Sequence, residues 1–410
     1  MEGNNNKKPK IRFKGFTDAW EQCRLEEVFI KGGSGGTPKS TNKAYYDGKI
    51  PFLGISDISK SNGYIYKTEK YITEEGLNNS STWIVPTGSI SLAMYASVGK
   101  LAILNTDVTT SQAFYNMVFD NNNLRDFIYH RLSKSYDSEE WRKLVSTGTQ
   151  PNLNAEKVKK FKISIPTNKV EIAMISNFFM KTDNLITLHQ RKCDKLKELK
   201  KTLLSEIFPR NGENTPNLRF GGFTDAWEQR RLRDILIEFS EKSKKENEYK
   251  VLSSTNIGME LRDGRVSGQS NVGYKIIDNG DLVLSPQNLW LGNININNIG
   301  KGLVSPSYKT FKFKDIDSNF IKPQLRTSKM MESYKNASTQ GASVVRRNLD
   351  IDLFQQIIIL IPTQLEQRRI GTFFWDLDNL ITLHQRMHLL NYISLDRDLI
   401  IKSVSWFSSS

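Results

Sequence analysis

The chain repeats itself, and that repeat limits its possible folds more than any other feature. Phe13–Gln22, which reads Phe-Lys-Gly-Phe-Thr-Asp-Ala-Trp-Glu-Gln, returns at Phe220–Gln229 with one substitution, 207 residues on. The match continues through Arg24-Leu25 and Arg231-Leu232. A second segment, Asp183–Arg191, recurs without change as Asp378–Arg386, 195 residues on. Just upstream, Ile165-Pro166-Thr167 and Phe178-Phe179 echo Ile361-Pro362-Thr363 and Phe373-Phe374. The order is a short box, a variable block and a helical box, and then the same series again.

A spacing near 200 residues is too long for a solenoid repeat, so a whole unit has been duplicated in tandem. The variable blocks, residues 26–164 and 233–360, show little similarity although they sit in near-identical frames. A frame kept twice suits two copies of one partner, or pairing of the frames with each other. Blocks that differ between equal frames suit two different ligands. The chain carries a net charge of +14 over 410 residues, which favours a polyanion, because each Lys or Arg set against a phosphate releases a counterion. Anionic membranes would attract the same charge, but no strongly basic amphipathic terminal helix is present to lie on them. Two different short nucleic-acid sequences are the natural pair of ligands.

Both segments after the Ile-Pro-Thr boxes read as helices. In the first, Leu185, Leu188, Leu196, Leu199 and Leu203 recur at near coiled-coil spacing, and Leu380, Leu383, Met387 and Leu390 repeat the pattern in the second. These leucines are the expected seam of an antiparallel helix pair. Pro166 and Pro209 bound a first helix of roughly 40 residues, or about 60 Å. The blocks read as mixed and strand-rich, with strand-like runs at Ser89–Met94 and Asp281–Leu284 after Gly88 and Gly280. Phe161–Ile165 and Gln356–Leu360 suit strands that close each block, and Leu124–Leu144 suits a helix.

Motifs for catalysis are missing. Gly33–Ser40 nearly matches a phosphate-binding loop, but Pro38 stands where the second glycine belongs and removes a backbone donor. A flexible loop able to approach DNA is the expectation there. His384 and His388 share a helical face, yet no Cys or Glu completes a metal set at sensible spacing, so no metal site is expected. Cys23 and Cys193 have no recognisable histidine partner and cannot form a disulfide framework, which fits a reducing cytoplasm. No Asn-Pro-Pro-aromatic signature of a DNA amino-methyltransferase occurs, nor an acidic cluster suited to two-metal cleavage. The longest apolar runs, such as Ile357–Pro362, fall far short of the roughly 18 residues of a membrane span. The first ten residues are polar, so no secretory signal is expected.

On these residues the chain resembles the specificity subunit of a type I restriction–modification system over nearly its whole length. Phe16–Gln22 and Phe223–Gln229 look like the start of each target recognition domain in that family. Asp183–Arg191 and Asp378–Arg386 look like its helical regions. Gly148–Leu153 resembles the Gly-Thr-Gln segment near the end of a recognition domain, with Ser338–Gly341 a degenerate counterpart. Gly35–Pro38 with Tyr45-Tyr46 and Ile50-Pro51 resembles one recurrent type of recognition domain. Ser285–Trp290 with Val304–Tyr308 resembles another.

The resemblance implies an α+β chain with two strand-rich recognition domains in tandem, separated by long antiparallel coiled-coil helices in a pseudo-twofold arrangement. The expected segments are a basic start (1–15), a first recognition domain (16–165), a central helix (166–210), a second recognition domain (218–361) and a C-terminal helical region (362–410). That last region departs from the family pattern after Arg386: Met387–Ser410 carries two basic and two acidic residues, whereas 181–204 carries seven and three.

Implied partners are double-stranded DNA, two modification subunits that bind S-adenosylmethionine, and two restriction subunits that use ATP and magnesium. The chain itself is expected to hold no cofactor, catalyse nothing and work in the cytoplasm. Candidate base readers are Lys39, Ser40, Lys100, Gln150 and Asn152 in the first head, and Gln287, Asn288, Gln340, Arg346 and Arg347 in the second. Their amide, hydroxyl and cationic groups are the types that read base edges and hold phosphates. Trp20 and Trp227 are expected to pack. A two-headed regulator that needs no enzyme partner is the alternative reading.

Overall fold

In the computed structural model, which describes residues 9, 11–145, 153–210, 212–262, 270–340 and 347–393 (side chains to 387), each frame closes on itself. Glu21–Arg24 pairs antiparallel with Lys162–Ile165, Glu21 facing Ile165. Glu228–Arg231 pairs in the same way with Ile358–Ile361, Glu228 facing Ile361. Each variable block therefore leaves and rejoins its frame at one two-stranded ladder. In the second block the closing strand starts later than its apolar run suggests, because Gln356 ends the helix Ile351–Gln356.

The chain divides into two compact units, one running to Thr187 and resuming at Leu390, the other from Leu188 to Leu389. The first head holds a five-stranded sheet in the order Lys31–Ser34, Phe114–Val118, Ile90–Ala93, Leu101–Leu104, Tyr64–Ile65. Alongside it is a three-stranded sheet of Lys70–Ile72, Tyr46–Leu53 and Thr109–Thr110. The helix Asn122–Asp137 is capped by the Asn121 side chain, which accepts from Leu124 N at 2.9 Å. It buries Phe127, Ile128 and Leu132 against Leu92, Leu101 and Met117 of the sheet. Sequence alone suggests one helix to Leu144. Instead Glu139 adopts a left-handed φ of 57° and starts a separate 3-10 turn, Glu140–Leu144.

The second head has a four-stranded antiparallel sheet in the order Leu236–Phe239, Lys309–Phe313, Leu282–Leu284, Ile294–Ile296. In both heads these neighbours run first, last, second, third along the chain. The two heads thus share four strands despite their dissimilar sequences. The turn before the second strand is also shared: Gly88 and Gly280 both take φ near +90° (82° and 92°), a region that favours glycine. Their N–H groups donate to Leu104 O at 2.7 Å and Asn297 O at 2.8 Å.

The connecting helix, Lys169–Ile207, is unbroken for 39 residues, about 58 Å at 1.5 Å per residue. The closing helix spans Gln364–Ile393. In the second unit the two pair antiparallel, since Lys200 meets Asp378 and Phe208 stacks on Phe374 at 6.3 Å between centroids. The expected seam needs correction. Leu196 and Leu203 do pack, with Cys193 and Ile207, against Ile370, Phe374, Leu377 and Ile381. Leu185, Leu188, Leu199, Leu380 and Leu383 are exposed instead, and Met387 is half-buried. One residue turns a helix by about 100°, so Leu380 faces away where Ile381 faces in. The Leu390 side chain lies outside the described residues.

The frame helices also touch their heads at equivalent places. Ser176 donates to Asn123 O at 2.6 Å, at the start of the head helix Asn122–Asp137. The matching residue 195 further on is Gly371. A Cβ there would stand 2.7 Å from Asp317 Oδ1 and 2.9 Å from Phe320 N, at the start of the head helix Ser318–Gln324.

Candidate nucleic-acid interface

Each head is fastened to its frame by an arginine and a buried glutamate. Arg12 donates to Glu171 through Nε at 2.6 Å and Nη2 at 2.8 Å, and through Nη1 to the Asp18 carbonyl. Arg219 donates to Glu366 through the same two nitrogens, both at 2.8 Å, and to the Asp225 carbonyl at 2.7 Å. Both glutamate side chains are wholly buried. A planar guanidinium matches a carboxylate through two parallel bonds, which fixes direction as well as position.

Around the ion pairs the aromatic rings repeat as well. Trp20 meets Phe127 and Trp227 meets Phe320, each at 5.7 Å between centroids. Phe13 meets Phe178 at 6.2 Å, and Phe220 meets Phe373 at 5.8 Å. Both tryptophans are packing residues at the base of a head. The copies differ in one bond: Trp20 Nε1 donates to Glu171 at 3.4 Å, whereas Trp227 Nε1 is buried with no hydrogen-bond partner.

Sequence reasoning missed these pairs. Arg12 and Arg219 lie one residue before the quoted box, at the same offset of 207, and Glu171 and Glu366 are offset by 195. The first copy carries one more residue between the Ile-Pro-Thr box and the glutamate. The helix start absorbs it, with Asn168 accepting from Val170 N at 2.8 Å through its side chain.

Away from the frame, two segments meet in each head. The loop after the strand Ile90–Ala93 accepts Leu153 N at Met94 O, 3.1 Å. The loop after Leu282–Leu284 accepts Arg347 N at Gln287 O, 3.3 Å. Leu153 ends the Gly-Thr-Gln segment, and Arg347 follows its degenerate counterpart in the pairing of Ser338–Gln340 with Arg347–Leu349. The structure therefore gathers Gln287, Asn288, Gln340 and Arg347 in the second head and sets Lys100 in the corresponding loop of the first.

The individual groups differ in freedom. Gln287 and Gln340 are exposed and Asn288 is half-buried. Lys100 donates to Ser59 O at 3.0 Å. Arg347 donates to Ser338 Oγ at 3.0 Å, Ser338 O at 2.8 Å and Lys335 O at 3.3 Å. Through Nε and Nη2 its guanidinium ties the strand pair to the end of the helix Ser328–Asn336. Lys39 and Ser40 are exposed. Gln150, Asn152 and Arg346 lie outside the described residues.

The glycine-rich stretch is not the flexible loop its composition suggests. Gly36 and Pro38 are buried, and Gly36 N donates to Thr110 O at 3.0 Å. A Cβ on Gly35 would come within 1.9 Å of Thr110 O, so glycine serves close backbone packing there.

The repeated aspartates occupy different surroundings. Asp378 pairs with Lys200. Asp183 sits 3.8 Å from His130, and burial pushes its carboxyl up to about 6. Burial also pushes the His130 imidazole down to about 4, so its ring is neutral at pH 7. Among the described residues no helix is long and apolar enough to cross a membrane.

Duplicated frames carrying two heads of one sheet order and unlike sequence define a tandem two-headed protein, and comparison identifies its family. The family described as type I restriction modification DNA specificity domain matches residues 17–198 and again 224–393, and the chain belongs to it. The MjaIX specificity subunit of Methanocaldococcus jannaschii is 28% identical over 232 residues, which cover 53% of this chain and 51% of that one. The HindI specificity subunit of Haemophilus influenzae is 27% identical over 137 residues, 33% of this chain and 30% of that one. The chain thus matches about half the length, or less, of these curated relatives. The crystal structure of the S subunit from M. genitalium shares the fold, with a TM-score of 0.62 at 13% identity, covering 95% of this chain and 96% of that one.

Proposed function

We propose that the chain is the DNA-recognition subunit of a type I restriction–modification complex, each head reading one half of a bipartite, asymmetric site. The observation that carries this reading is two heads with one sheet order and different loops, each fastened by the same arginine–glutamate pair. Equal fastening suits one duplex gripped twice, and unlike loops suit unlike half-sites. Phosphate contacts from the basic surface set register, while exposed polar groups such as Gln287 and Gln340 read base edges.

The unbroken 39-residue helix is the natural ruler for the unread base pairs between half-sites. The exposed leucines, Leu185 and Leu188 in one copy and Leu380 and Leu383 in the other, give two equal apolar patches. They suit two copies of a modification subunit, which brings S-adenosylmethionine. Restriction subunits, with ATP and magnesium, complete the complex, and this chain supplies recognition alone.

Exchanging residues 26–164 for another head, then mapping methylated adenines in cells, tests the reading. One half of the methylated sequence changes and the other stays. A change in both halves, or methylation that persists without this chain, refutes it.

A further inference from the structure

Two histidines from the two copies of the nonapeptide meet on the helix pair of the second unit. His189 and His384 hold the same place in Asp183–Arg191 and Asp378–Arg386. Their Nδ1 atoms stand 2.9 Å apart, with ring centroids 5.1 Å apart and planes inclined by 40°. Both rings are half-buried, within reach of solvent.

Two like nitrogens at that distance have few options. Two N–H groups would clash and two bare lone pairs would repel, so a neutral pair must adopt unlike tautomers, one donating and one accepting. A cation between the nitrogens satisfies both lone pairs together. With nitrogen–metal bonds of about 2.0–2.1 Å, the 2.9 Å separation subtends about 90° at the metal. That is the angle between neighbouring ligands in the tetragonal sites copper(II) and nickel(II) favour with imidazole. A tetrahedral zinc would require the nitrogens to part by roughly 0.4 Å.

On these two helices Asp378 pairs with Lys200, and Asp194 accepts from Gln190 Nε2 at 2.9 Å. Among the described residues no cluster of three or more His, Cys, Asp or Glu side chains is disposed to hold a metal, so water supplies the other ligands. We infer that His189 and His384 form a two-histidine site for a divalent transition-metal ion, copper(II) or nickel(II), which bridges the connecting and closing helices.

The test uses the full chain free of any affinity tag, titrated with copper(II) chloride by calorimetry and followed by electron paramagnetic resonance. The expected result is one site per chain with hyperfine splitting from two imidazole nitrogens. His189→Gln and His384→Gln each weaken binding by at least the roughly 10–100-fold typical of losing an outer ligand partner. Circular dichroism checks that both variants fold. Absence of the two-nitrogen signature in the wild-type chain overturns the inference. Equal copper affinity in the double variant does the same.

Discussion

Removing Arg219 isolates a carboxylate that the second unit buries completely. In Arg219→Ala, Glu366 keeps no cation, and its cheapest escape within the fold is to take up a proton. An ordinary glutamate titrates near about 4.3, so neutralising one at pH 7 costs about 3.7 kcal/mol, and at pH 5 only about 1 kcal/mol. The first figure falls within the roughly 3–5 kcal/mol seen when one partner of a buried ion pair is removed. The sign follows from linkage: the buried, unpartnered carboxyl binds its proton more tightly folded than unfolded, so stability is lost as pH rises above about 4.3.

Amide exchange measured by mass spectrometry on peptides covering 218–232 and 364–377 reads the loss locally. After correction for intrinsic rates, protection falls by about 3–4 kcal/mol at pH 7 and by about 1 kcal/mol at pH 5. Peptides around Arg12 and Glu171, an equivalent pair in the same molecule, serve as the internal reference and keep their protection. Replacing both partners, as Arg219→Met with Glu366→Leu, restores most of the loss. A deficit that does not shrink in acid, or one that spreads equally to the first copy, refutes the reasoning.

Three more outcomes follow from side-chain surroundings. Asp183→Asn stabilises the first unit at pH 7–8 and loses that effect as pH falls through 3.8, because the native carboxyl, raised to about 6 by burial, opposes folding once the unfolded chain ionises near 3.8; melting curves across that range check it. Phe374→Ala, which vacates the ring stacked on Phe208, lowers the stability of the second unit by about 3–5 kcal/mol in denaturant titration. Neither cysteine reacts with a thiol reagent at pH 8 until denaturant is added, since burial pushes the Cys23 thiol up to about 11 and Cys193 is buried between helices.

The repeat made the frame legible. Prolines and periodicity placed a helix of about 40 residues where one of 39 stands, and glycine followed by an apolar run marked the second of the four shared strands in each head. The common sheet was hidden because strand order depends on backbone pairing between distant segments, which dissimilar side chains do not record. The buried face of the helices was misjudged because leucines were counted and isoleucine, phenylalanine and cysteine were not. Residues 195 apart, such as His189 and His384, have no local signal of their meeting. In the candidate interface, residue type marked Arg347 as a donor, but that two of its nitrogens bond Ser338 and Lys335 depends on the fold and leaves no trace in the sequence.

The contrast between Ser176 and Gly371 sets a rule for rebuilding such chains. One frame presents a hydroxyl that grasps the first turn of its head helix, and the other presents a bare α-carbon against which the helix lies closer. The heads are therefore keyed to their sockets. A graft cut at the ladder strands alone that moved the second head into the first frame would set its helix start against a serine where only hydrogen fits, so Gly371 must travel with that head.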